Sequence, residues 1–331
     1  MRTAGKNFGF HEVLLVADLY DPNTSTTPVA ERRDLERTEG ETFLALKAAI
    51  ESLGLQVRHC SHPSQLRRYA WKARHAIVLS IYGGEASRNR MALVPAVAEA
   101  LGLRFIGPDT YGRIIAQDKE ISKRLALDCG LRTPPWRVAR DVQGIDHALS
   151  LNYPAVVKPL LEGSSIGISQ RNLVRSRMEA REVFQDLFRI FSQPILIEEF
   201  VPGREVCFAS IQGASQPYWS FSEVVIAGDA SFFEQRLFDA EEKQWRTEGR
   251  TVRNIDLDLN VEDRVTIERL LKIFGKYDYC RVDGRLADGR FHFLELTPDA
   301  WIHPRGQFAM SFTEKGWSYT DVIAAVLASG G

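Results

Sequence analysis

The sequence predicts an α/β protein that becomes α+β in its C-terminal part. Up to about residue 110, short apolar runs alternate with stretches of helical period. From Arg204 onward strand patterns follow one another, with one long helical stretch between them. Between these regions, Val156-Val157-Lys158-Pro159-Leu160-Leu161-Glu162-Gly163-Ser164-Ser165-Ile166-Gly167-Ile168-Ser169 sets two β-rich runs about a Gly/Ser loop.

Residues 12–17 (EVLLVA) read as a buried parallel strand. Residues 36–53 carry Phe43, Leu46, Ile50 and Leu53 at helical spacing, and Gly54 stops that helix. A strand over 55–60, a strand over 76–81 ending at Gly83-Gly84, a helix over 91–101 and the run Arg104-Phe105-Ile106-Gly107-Pro108 follow. This order predicts a small, Rossmann-like parallel sheet with helices on both faces. Next come a helix over 117–128 closed by Gly130, a strand opened by Trp136, a hairpin over 156–169, a helix over 176–191 and a strand over 194–201. Strands are expected over 205–212, 217–227, 279–286 and 291–297, and helices over 261–275 and 318–328. The 331 residues divide at 1–110, 111–200 and 201–331.

Composition excludes several classes. With 44% hydrophobic residues, 26% charged and a formal net charge of -1, the chain has neither a disordered composition nor a basic field for nucleic acid. Cys60, Cys129, Cys207 and Cys280 form no C-x-x-C pair and read as reduced thiols. No apolar run approaches the roughly 18 residues of a membrane span, and the N-terminus lacks a signal pattern, so the expected setting is cytoplasmic.

The Gly/Ser loop reads as a phosphate cover, because successive backbone N–H groups and hydroxyls surround phosphate oxygens while Lys158 neutralises their charge. The alternative is a plain hydrophilic turn. Neither G-x-x-x-x-G-K-[ST] nor G-x-G-x-x-G occurs, so a nucleotide site here is of another kind. Farther on, Arg281-Val282-Asp283 and Leu294-Glu295-Leu296-Thr297 flank the turn Asp288-Gly289. Folding back there places Asp283, Glu295, Thr297 and Arg281 on one face. Two carboxylates so close call for a cation between them, Mg²⁺ with nucleotide phosphates; a surface cross-strand ion pair is the alternative.

Together these segments resemble the ATP-grasp carboxylate–amine ligases, most closely the D-alanine:D-alanine ligase family. Asp118-Lys119 with Lys123 and Gly130-Leu131-Arg132-Thr133-Pro134 resembles its D-K…K…G-[LI]-x-[TV]-P segment. V-V-K-P-x-x-E-G-S-S-x-G matches almost letter for letter, and Ile197 to Glu205 resembles its hinge strand. R-x-D…E and the stretch 308–327 complete the set.

The resemblance implies an ATP-grasp fold and an ATP-dependent ligase that forms an amide through an acyl phosphate. It implies ATP and Mg²⁺ or Mn²⁺, small carboxylate and amine substrates and a homodimer, while charge and hydropathy set the expectation of no nucleic acid or membrane partner. By resemblance, Lys119 and Lys158 bind phosphates under Gly163, Ser164 and Ser165, with Glu162 beside them. Glu198, Glu199 and Val201 hold adenine, Glu205 holds ribose, and Leu294 also binds ATP. Asp283, Glu295 and Thr297 take the metal; Arg281, Ser164 and Lys243 serve catalysis. Departures fall on the amino-acid side. Thr297 stands where the family has Asn, Ser80 where it has a substrate His, and Lys243-Gln244 where it has Lys-Tyr. Gly306 stands where it has a carboxylate-binding Ser, and its early Glu motif survives only as Ala30-Glu31-Arg32. The substrate residues are then Glu31, Ser80, Gln244, Trp301, His303, Arg305 and Gly306, with Arg305 expected on an acceptor carboxylate. A substrate other than D-alanine is the leading expectation. The alternatives are a D-alanine:D-alanine or D-alanine:D-X ligase, an ATP-binding protein without turnover, and kinase-like transfer to a hydroxyl.

Overall fold

The computed structural model of the chain describes residues 8–20, 36–85, 87–229, 231–239, 242–243, 249–298 and 300–330. The first part contains β1 (Glu12–Val16), the short parallel pair β2 (Leu19–Tyr20) and β3 (Thr38–Glu39), β4 (Gln56–Cys60), β5 (Ala76–Ser80) and β6 (Arg104–Ile106). They build a parallel sheet of order β4-β1-β5-β6, in which β1 and β5 are buried throughout, as their unbroken apolar runs require. Helix α1 (Gly40–Ser52) packs Phe43, Leu46 and Ile50 inward. It starts later than the expected residue 36 because Thr38 and Glu39 pair with Leu19 and Tyr20 instead. Helix α2 (Leu93–Ala100) follows a 3-10 turn at Arg90–Ala92.

The helix expected over 117–128 begins at Lys119, and a separate, unexpected helix precedes it. Helix α3 (Thr110–Gln117) is capped by Asp109. Asp118 leaves the helical conformation and caps α4 (Lys119–Asp128), accepting from the N–H groups of Glu120 and Ile121. The Asp-Lys dipeptide thus aims a lysine from the first turn of a helix.

The middle sheet is antiparallel, of order β7-β10-β8-β9, from β7 (Trp136–Ala139), β8 (Ala155–Pro159), β9 (Leu173–Val174) and β10 (Ile195–Glu199). Helices α5 (Ile145–Ala148) and α6 (Arg177–Phe191) cover it. The hairpin expected over 156–169 is corrected here: β8 ends at Pro159, residues 164–167 form a turn, and β8 pairs with Leu173–Val174. Ser164 and Ser165 (φ 49° and 59°) break the extended run, and Gly167 (φ 75°) packs where a Cβ would lie 2.7 Å from Pro159.

The last sheet has order β13-β12-β11-β14-β15, all antiparallel: β11 (Arg204–Ile211), β12 (Tyr218–Ile226), β13 (Arg250–Asn254), β14 (Tyr279–Ala287) and β15 (Arg290–Thr297). Asp288 and Gly289 both have positive φ, 50° and 68°, the two-residue turn that matches strand twist. Helix Val261–Phe274, α3 and α4 cover this sheet. Helix Tyr319–Ser329 crosses back and buries Val322, Ile323, Val326 and Leu327 with Val13, Leu15, Leu46 and Ile50. The four cysteines are buried free thiols. No described helix is long and apolar enough to cross a membrane.

Candidate active site

The three sheets meet around a cavity of about 360 Å³. Its floor is a lattice of paired charges. Val156 of β8 pairs with Glu198 of β10, so Lys158, two residues on, shares a face with Glu198. Lys158 Nζ lies 2.5 Å from Glu198 Oε1, and Lys123 Nζ, from α4, lies 2.7 Å from Oε2. Burial alone would raise the Glu198 carboxyl, but the two ammoniums hold it down at about 2. Burial pulls Lys123 down to about 8 against the attraction of Glu198; Lys123 also donates to Thr133 Oγ1 at 2.7 Å. Lys158 is raised, since Glu198 and Glu295 outweigh its desolvation. Lys119, one turn before Lys123, donates to the Glu162 carbonyl and lies 3.6 Å from Glu295 Oε2.

The loop beside this floor turns through the left-handed Ser164 and Ser165, and Gly163, Ser164 and Ser165 line the cavity. Ser165 Oγ donates to the Phe238 carbonyl at 2.8 Å. Gly163 admits no side chain, because a Cβ would lie 2.2 Å from Glu36 Oε1. The Glu162 carboxylate braces the loop by accepting from Gln193 Nε2 at 2.7 Å and from Arg90 at 3.2 Å.

On the last sheet, Asp283 faces Glu295 and Arg281 faces Thr297 in register. Arg281 grips Asp283 through two bonds of 2.6 and 3.0 Å, and the Thr297 hydroxyl donates to Asp283 Oδ2 at 2.5 Å. Burial would raise the Glu295 carboxyl, yet Lys119, Lys158, Lys243 and Arg281 together depress it. Lys243 sits 5.1 Å from the Phe238 ring centroid and is lowered by burial. Burial raises Glu205 against the pull of Arg285, whose Nε is 2.8 Å away. At the hinge, Glu199 and Phe200 donate their N–H groups to Pro135 and Pro154, and the Glu199 carboxylate accepts from Asn152, while Val201 and Leu294 line the cavity. Among the described residues no group of three or more His, Cys, Asp or Glu stands together; the hard-oxygen donors here are Asp283, Glu295 and the Thr297 hydroxyl.

The amino-acid side departs from expectation. Trp301 lines the cavity, with Nε1 3.2 Å from Thr42 Oγ1. His303 does not line it: its ring is buried beneath Trp301 at 4.7 Å, and its Nδ1 accepts from the Arg305 N–H. Arg305 points outward and is held by both Glu41 oxygens at 3.0 and 2.9 Å, so it is not the cavity's carboxylate clamp. Gly306 presents no binding group, since its N–H donates to His303 O and a Cβ would lie 2.3 Å from Trp301 O. Ser80 is buried at the end of β5, accepting from the Tyr82 N–H, and stays off the cavity wall. Glu31 and Gln244 lie outside the described residues.

Lys123, Glu36, Arg90 and Arg250 are missing from the expected site residues. Arg90 donates to Glu36 at 2.8 Å while also meeting Glu162, and both Arg90 and Glu36 line the cavity. A signal for Glu36 exists: Glu36-Arg37 repeats the Glu31-Arg32 pair immediately before β3. Arg90 and Arg250 have no local signal.

The family model "D-ala D-ala ligase C-terminus" matches residues 128–328. A D-alanine–D-alanine ligase of Thermotoga sp. (strain RQ2) is 26% identical over 317 residues, 91% of this chain and 94% of that one. One of Aquifex aeolicus (strain VF5) is 25% identical over 235 residues, 71% and 76% respectively. Among solved structures, the D-alanine–D-alanine ligase of Bacillus anthracis complexed with ATP superposes with TM-score 0.68 at 18% identity, over 97% of both chains. The VanG D-Ala:D-Ser ligase of Enterococcus faecalis gives 0.69 at 14% identity, over 97% of this chain and 100% of that one. The fold is the ATP-grasp fold of these proteins.

Proposed function

The chain belongs to the D-ala D-ala ligase C-terminus family and is an ADP-forming ATP-grasp ligase; on that premise we propose that it joins a small carboxylate to an amine through an acyl phosphate, on a pair other than two D-alanines. The observation that carries the chemistry is the convergence of Lys119, Lys158, Lys243 and Arg281 on the Glu295 end of the cavity, which Gly163, Ser164 and Ser165 also line. A carboxylate resists amine attack until phosphorylation gives it a leaving group. In this reading Lys119 and Lys158 hold the ATP phosphates, and the amides of 163–165 cover them and exclude water from the acyl phosphate. Glu199 and Val201 border the adenine, Glu205 meets the ribose, and Glu198 keeps Lys123 and Lys158 charged and in place. Arg281 stabilises the oxyanion that forms as the amine attacks.

Asp283, Glu295 and the Thr297 hydroxyl fit Mg²⁺ or Mn²⁺, being hard oxygen donors on facing strands, with phosphate oxygens left to fill the shell. Such an ion supplies positive charge to the transferring phosphoryl group. The setting in this reading is the cytoplasm, the partners being small molecules and a second copy of the chain.

The closed Gly306 position supports a substrate pair other than two D-alanines, because no side chain fits there to bind a carboxylate. The names of the curated relatives favour a second reading, ligation of D-alanine to D-alanine or to another residue. ADP release with Mg-ATP, comparing D-alanine alone with pairs of L- and D-amino acids and small carboxylates, decides between them. Turnover on D-alanine alone establishes the second reading. Turnover only with another pair establishes the first, and ATP binding without release from any pair removes both.

A further inference from the structure

Arg250 opens β13, the edge strand of the last sheet, and its half-buried side chain forms part of the cavity wall. Its NH2 group donates to the Arg305 carbonyl at 2.6 Å, which fixes the guanidinium against the 301–305 segment. A guanidinium carries five N–H donors and stays charged at any ordinary pH, and this bond uses one of them. The neighbouring cations are matched: Arg281 by Asp283, Arg285 by Glu205 and Arg305 by Glu41. Among the described residues no carboxylate pairs with Arg250; burial and the like charges of Arg281 and Arg305 all disfavour its charge. A desolvated cation without its anion is costly, and an anionic ligand relieves that cost.

We propose that Arg250 is a specificity-determining residue that binds the free carboxylate of the acceptor, which makes the acceptor an amine that carries a carboxylate. This rests on the ligase reading above. It moves to Arg250 the task that the sequence places on Arg305, whose guanidinium Glu41 withdraws from the cavity. It also explains how a chain with no side chain at position 306 recognises such a group. The bidentate fork selects a planar anion over a neutral amide of the same shape.

The test measures ADP release from the full chain with Mg-ATP and a saturating carboxylate donor. Acceptor amino acids are compared with their carboxamides for the wild type, Arg250→Gln and Arg250→Lys. The wild type is expected to prefer the free acid. Arg250→Gln should raise the acceptor KM about ten- to a hundredfold, to the level of the carboxamide, with the KM for ATP unchanged and the melting temperature preserved. Arg250→Lys should restore part of the preference. A wild type indifferent to amidation, or an Arg250→Gln enzyme with an unchanged acceptor KM, overturns the proposal and leaves the ligase reading standing. A rise in the KM for ATP instead assigns Arg250 to a phosphate and also overturns it. No release from any acid and amine pair overturns the ligase reading, and this proposal falls with it.

Discussion

The two walls of the cavity balance charge in opposite ways. On the phosphate wall the cations stand beside anions: Lys123 and Lys158 share Glu198, Lys119 reaches Glu295, and Arg281 grips Asp283. Around Trp301, Arg305 is drawn outward by Glu41, His303 is buried beneath the indole, and Arg250 has a backbone carbonyl but no carboxylate partner among the described residues. The first wall is organised before any ligand arrives, which suits a group common to every turnover. The second is completed by what binds, which suits the part of the reaction that distinguishes one substrate from another.

The largest effect is expected from breaking the closed wall. Glu198→Ala leaves two buried ammoniums without their carboxylate and should cost about 3–5 kcal/mol of stability, read from urea unfolding. A loss below about 1 kcal/mol would mean that water reaches both lysines, and the contrast between the walls would be gone. Next, Arg281→Ala should lower kcat for ADP release by about 10²–10³-fold. A change confined to the KM for ATP would make Arg281 a nucleotide contact rather than a stabiliser of the developing anion.

Acid tests the same lattice. The Glu198 carboxyl lies at about 2 in the folded chain against 4.5 ordinarily, so between those values the unfolded chain binds more protons. Its contribution, about 3 kcal/mol, is complete above about pH 4.5 and disappears as pH falls toward about 2. Stability measured from pH 6 downward should show this fall, and Glu198→Gln should flatten it. The smallest effect sharpens the open wall: Gly306→Ser forces a Cβ to 2.3 Å from Trp301 O and should cost about 1–3 kcal/mol without creating activity on D-alanine. A Gly306→Ser enzyme of unchanged stability that gains D-alanine turnover would show the position to be open.

How much was legible beforehand follows the same division. The closed wall is written in local patterns, because a strand's alternation, the Asp288-Gly289 turn and the Asp118-Lys119 cap fix side-chain directions within a few residues. Its shape was less legible: the Gly/Ser loop is no hairpin, since Ser164 and Ser165 take left-handed backbone angles that no residue type there announces. The open wall depends on distant partners. Arg305 is turned away by Glu41, and Arg250 is oriented by the Arg305 carbonyl, 55 positions along the chain. Glu36 stands at the phosphate loop only because Gly83 and Gly163 leave it room.

Helix Tyr319–Ser329 also bears on how the chain reaches this state during synthesis. Val13, Leu15, Leu46 and Ile50 leave the ribosome early, yet Val322, Ile323, Val326 and Leu327 complete their cluster. At ~5–20 residues per second the nascent chain carries that incomplete apolar face for on the order of 10–50 s. The first sheet is therefore the segment on which a chaperone would be expected to act. A ribosome stalled before Tyr319 should display it to limited proteolysis, while the middle sheet, whose cluster is drawn from residues 139–197, should already be protected.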